Sequence, residues 1–104
     1  MSLDTQNINA SLVGGLTSDG LTKNGSHATF LALFDAVEST AVAVLEQSPD
    51  GANWSELEES EVTIEPGQTE QMWVENNTPR GTLLRLKITE TTGTLVAIKL
   101  LSNE

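Results

Sequence analysis

The sequence predicts an all-β fold: an antiparallel two-sheet β-sandwich, jelly-roll-like, of roughly seven to eight strands. Three observations carry this. Short runs of Val, Ile, Leu and Thr alternate with polar residues, and turn residues interrupt them every ~8 to 12 positions. Aromatic residues are few and no stretch has a decisive helical period. At Ser48-Pro49-Asp50-Gly51 the chain carries each residue type a type I turn asks for, between a Val- and Ala-rich run and one bearing Trp54 and Leu57.

Residues 1–27 are dominated by Ser, Thr, Asn, Gly and Asp, with scattered apolar residues such as Ile8, Leu12 and Leu21. They read as an N-terminal arm, or an edge strand with loops, preceding a sandwich domain over 28–104. Ala28 to Gln47 is ambiguous, because Phe30, Leu33, Phe34, Val37, Ala41, Val44 and Leu45 fall near helical spacing. The β-branched Val37, Thr40, Val42 and Val44 and the polar Glu38-Ser39-Thr40 favour two strands instead, Ala28 to Phe34 and Thr40 to Ser48. The first hairpin follows at Ser48–Gly51. Pro66-Gly67 suits a type II turn and reads as a second hairpin between Val62–Glu65 and Thr69–Glu75. Thr82 to Thr89 places Leu84, Leu86 and Ile88 on one face and Arg85 and Lys87 on the other. After the Thr91–Thr94 turn, Leu95 to Leu101 reads as a third hairpin partner, with Val96, Ile98 and Leu100 inward and Lys99 outward.

With 15 acids against 5 bases, the net charge is −10. A phosphate backbone or an anionic lipid surface is repelled by such a chain, so no nucleic acid and no membrane are expected among its partners. Eleven acids and no Lys or Arg lie between Lys23 and Arg80, whereas four of the five bases fall from Arg80 onward. That division reads as a solvated acidic surface, or as a two-signed molecule that meets a neighbouring copy. Cys is absent, which removes thiol chemistry and a cystine framework. The first residues have neither a basic stretch nor an apolar one of signal-peptide type, so the chain is expected to fold in the cytosol.

His27 has no Ser, Asp or Cys companion pattern and reads as a surface residue. Glu56, Glu58, Glu59 and Glu61 lack the Asp/Asn/Gly spacing of a calcium loop. No catalytic residue, cofactor or metal is assigned. Trp54 reads as core. Trp73 alternates with Met72 and Val74, so it faces out if they face in, and then becomes a surface for stacking on a sugar or a partner subunit.

Glu46-Gln-Ser48-Pro-Asp50-Gly-Ala-Asn53-Trp54, followed by Arg80-Gly-Thr-Leu-Leu-Arg85-Leu-Lys87-Ile and the Gly93-Thr turn, resembles the Ser-x-Asp-Gly-x-x-Trp pattern of discoidin-like (coagulation factor 5/8 type C) sandwich domains. It also resembles its compact form in small structural proteins of tailed bacteriophages. Sugar- or lipid-binding discoidin domains are longer and commonly carry a cystine, so the compact form is the better match. The resemblance implies a non-enzymatic virion protein, made in the host cytoplasm: a capsid decoration (cement) protein, or a head or tail accessory subunit. It would be a homo-oligomer, with a trimer favoured, bound to a capsid or tail protein. Trp73, Arg80, Arg85, Lys87, Asp50 and Asn53 are the candidate contacts, with a small carbohydrate-binding module as the alternative.

Overall fold

The computed structural model describes residues 2–103. Ten strand segments follow one another: β1 (Ser2–Ser11), β2 (Leu16–Thr17), β3 (Leu21–Thr22), β4 (His27–Asp35), β5 (Ala41–Ser48), β6 (Ser55–Glu56), β7 (Val62–Ile64), β8 (Glu70–Glu75), β9 (Leu83–Ile88) and β10 (Thr94–Asn103). One sheet runs β1-β10-β4-β8. The second runs β2-β9-β5-β6, with β3 also on β9 and β7 also on β5. Every pairing is antiparallel.

Counting β2 with β3 as one interrupted strand, and β6 with β7 as another, gives eight strand positions in two sheets. Their orders are first-eighth-third-sixth and second-seventh-fourth-fifth. That is the winding of a jelly roll, in which the chain wraps back and forth between the sheets. Residues 2–27 belong to this sandwich and form no separate arm, because β1 is an edge strand of the first sheet while β2 and β3 form an edge of the second. Leu12, just after β1, is wholly buried.

β4 explains the helix-strand ambiguity of its sequence. Ala28, Phe30, Ala32 and Phe34 are buried in strict alternation, while Thr29, Leu31 and Leu33 on the other face are half-buried. A strand apolar on both faces imitates helical spacing. Inward, Ala and Phe alternate small and large and meet Leu45, Ile64, Leu84, Leu86, Ile88 and Leu100 in one core.

The Ser48–Gly51 turn joins β5 to β6 in a hairpin, with Gln47 opposite Ser55. The Ser48 hydroxyl accepts from the amide of Gly51 at 2.8 Å. The other two expected hairpins are not hairpins. Gln68 donates its amide to the Glu65 carbonyl at 3.1 Å and Gly67 has φ +83°, as a type II turn requires. Yet β7 pairs with β5 and β8 with β4, so this turn carries the chain from one sheet to the other. β9 and β10 are divided between the sheets in the same way. A turn sequence fixes local direction, and the partner strand is chosen by packing. β10 also departs from plain alternation: the register shifts between Leu95 and Ala97. This bulge at Val96 leaves it half-buried, while Leu95, Ile98 and Leu100 are buried.

Candidate functional site

Asp50 and Asn53 form a self-contained loop. The Asp50 carboxylate accepts from the backbone amides of Ala52 and Asn53 at 2.9 and 3.0 Å, and from the Asn53 side-chain amide at 2.9 Å. These donors, led by the Asn53 backbone amide and joined by the Ser48 hydroxyl, hold its pKa well below the usual carboxylate range. Its oxygens are spent on the loop, so the arrangement is that of a structural turn.

Arg85 stands on the outer face of the second sheet, with its Nε on Glu46 Oε1 at 2.8 Å. Its guanidinium carbon lies 4.0 Å from the Trp54 ring centroid. Trp54 is therefore half-buried on the outside of the sandwich instead of in the core; its indole N–H donates to the Gly51 carbonyl at 3.1 Å. Lys87 is exposed on the same outer face, paired across β5 with Val44. Arg80 lies in the exposed loop before β9.

Trp73 faces the core, which corrects its assignment as a contact. It is 7% exposed, its ring meets Phe30 edge-on at 5.8 Å, and its indole N–H donates to the Ser60 carbonyl at 2.7 Å. Trp73 lies between the sheets and forms no stacking platform with Asp50 and Asn53, and one face of Trp54 beside that loop is taken by Arg85. The six candidate contacts are not brought to one place.

Turning Trp73 inward turns Met72 and Val74 outward, where they are 59% and 70% exposed. The register then lays out the outer face of the first sheet in rows. Leu3, Leu101, Thr29 and Val74 form one; Thr5, Lys99, Leu31 and Met72 the next; Asn7, Ala97, Leu33 and Glu70 the third. Strands about 4.8 Å apart and same-face rows about 6.8 Å apart give roughly 400 Å² of footprint. Apolar side chains hold most of these positions, with Lys99 among them. The outer face of the second sheet contrasts with it. There Thr17, Thr63, Arg85, Lys87 and Glu46 interleave with Val42 and Val44. Leu3, Met72 and Val74 are the exposed apolar side chains of this face, Leu31, Leu33 and Leu101 are half-buried between them, and Ala97 is buried.

No protein-family model matches the chain, and no curated protein matches its sequence. Among the described residues, no group of three or more His, Cys, Asp or Glu is placed to hold a metal. His27 is exposed at the start of β4.

Sequence reasoning missed Lys23. It is wholly buried, with its Nζ donating to the Thr78 carbonyl at 2.6 Å and to the Thr78 hydroxyl at 3.1 Å. Burial lowers its pKa, and the nearby Glu75 carboxylate opposes that. Glu75 in turn accepts from the amides of Asn77 and Thr78 at 3.3 and 2.9 Å. Lys23 and Glu75 thus pin the loop that carries Arg80 to the segment after β3. The one signal in the sequence is the isolation of Lys23, the only base before Arg80.

Proposed function

We propose that this chain is a non-enzymatic structural subunit of a virus particle, a bacteriophage capsid decoration or head or tail accessory protein that works through protein–protein contacts. The observation that carries the reading is the largely apolar outer face of the first sheet, presented by a jelly roll whose opposite outer face mixes charged residues with Val42, Val44 and Trp54. Jelly rolls recur in capsid and lectin domains, and the compact phage proteins that the Ser48–Trp54 segment resembles lend the particle side of the choice. That support is analogy of fold and motif; the face itself supplies the physical argument. Burying Leu3, Met72 and Val74 removes apolar surface from water at about 25 cal/mol per Å², which drives association of copies with one another and with the particle.

Two measurements test it. Light scattering on the purified chain is expected to give a multiple of the 11.1 kDa mass, and Leu3→Gln/Leu31→Gln is expected to return it to one copy with an unchanged far-ultraviolet spectrum. A single-copy mass for the parent chain, together with a coding sequence set among metabolic genes instead of capsid and tail genes, refutes the proposal.

A further inference from the structure

Three of the four sheet edges are blunted against pairing with another chain, each by a recognised device. β1 carries a register shift between Asn7 and Ala10, with Asn9 at φ +50°. The second sheet ends on one side in the two-residue pieces β2 and β3, and on the other in β6 and β7. The fourth edge, β8, differs. Its six residues run in unbroken register with β4 and contain no Pro, Lys or bulge, and its charges, Glu70 and the buried Glu75, stand at its two ends.

The hydrogen bonding shows which backbone groups β8 offers. Phe34 donates its amide to the Thr69 carbonyl at 2.8 Å, so Thr69 faces β4. Antiparallel alternation then turns Gln71, Trp73 and Glu75 toward β4, and Glu70, Met72 and Val74 toward the open edge. Side chains occupy two of those edge carbonyls: Gln68 donates to Glu70 at 2.7 Å and Gln71 to Met72 at 3.2 Å. Both donors are amides of surface glutamines, which an incoming N–H replaces like for like.

Charge decides what can approach. Beside β8 runs a cleft lined by Leu45, Leu57 and Trp73 and by the exposed Glu58 and Glu59, with no Lys or Arg in its lining; Glu75, also on it, is buried and faces Lys23. Glu70 stands at the start of the strand. A second copy, itself at −10, meets like charge at this edge.

We propose that β8 takes an extended, Lys- or Arg-bearing segment of a protein partner as a fifth strand of the first sheet. Its edge-facing backbone pairs with Glu70, Met72 and Val74. Side chains of alternate residues then fall on opposite sides: apolar ones beside Met72 and Val74 on the outer face, basic ones over Glu58 and Glu59. The inference shares with the proposed function only the premise that the chain works by protein contact.

The probe is a fluorescent peptide of alternating Lys and Val, followed by anisotropy and by backbone amide exchange. The expected result is saturable binding, with exchange slowed at Met72 and Val74. Glu58→Lys/Glu59→Lys is expected to weaken binding at least about tenfold. Val74→Pro deletes one edge donor without touching the β4 ladder, and is expected to abolish binding while leaving the circular dichroism intact. The proposal is overturned by absence of binding, by equal binding of a peptide with the same residues in blocks, or by unchanged exchange at Met72 and Val74. Failure here leaves the light-scattering test standing, since Leu3 and Leu31 lie on β1 and β4.

Discussion

Replacing Lys23 by Met keeps most of the side-chain volume and removes one buried charge. In the folded chain that ammonium donates two hydrogen bonds to Thr78, the shorter at 2.6 Å, and lies close enough to Glu75 to oppose the effect of burial. A hydrogen bond to a charged group contributes about 1.5–3 kcal/mol, and Glu75 is left 8% exposed with its cation gone. Relief from desolvating the ammonium offsets part of this, so the net loss is about 2–3 kcal/mol. At about 4–8 °C per kcal/mol for a domain near this size, the midpoint of thermal unfolding falls by roughly 8–24 °C. Urea unfolding followed by circular dichroism gives the free energy directly. Adding Glu75→Gln to Lys23→Met is expected to recover part of the loss, because the remaining carboxylate no longer lacks its cation. A single variant within about 0.5 kcal/mol of the parent would refute the claim that Lys23 pins the loop.

Gly93 has φ +110°, and a Cβ there would stand 2.5 Å from the Asp35 carbonyl oxygen. Gly93→Ala is therefore expected to cost about 2–4 kcal/mol in the same unfolding assay. In Trp73→Phe the remaining Trp54 is expected to emit like a partly hydrated indole, whereas Trp54→Phe leaves the blue-shifted emission of a buried one; the reverse order would contradict their placement. Asp50 has a folded pKa below its ordinary 3.8, so its contribution is present above that value and lost as pH falls through the folded one. Asp50→Ala is expected to narrow its stability difference from the parent as pH drops below 3.8. Lys23 behaves oppositely to a salt-bridged base. Its folded pKa lies below 10.5, the unfolded chain binds more protons in that window, and stability rises with pH up to 10.5.

The extended character of Ala28–Gln47 and the Ser48–Gly51 hairpin were legible because each rests on neighbours in sequence. Strand pairing was not. Pro66-Gly67 announces a reversal but says nothing of which sheet receives β8, which pairs with β4 while β7 pairs with β5, and Trp73 then packs on Phe30. The direction of Trp73 was open because Met72, Trp73 and Val74 are all apolar, so alternation has no polar phase to fix it. Trp54 was misread as core because a guanidinium supplied from β9 can cover an indole as well as a second sheet can. A charged residue gives no local sign that it will be enclosed, which is why Lys23 escaped notice. The outer face of the first sheet was hidden for the same reason: Leu3, Leu31, Met72 and Leu101 come together only through the order of the four strands.

That order has a consequence for how the protein is made. β10 sits between β1 and β4 and pairs with both, Ser2 lying opposite Ser102 and Asn103 opposite His27. Until residues 94–103 have left the ribosome, the first sheet has a gap at its middle and β1 has nothing to join. Translation speed cannot let this domain settle piece by piece, and a nascent chain stalled after β9 offers that empty slot to whatever strand arrives first.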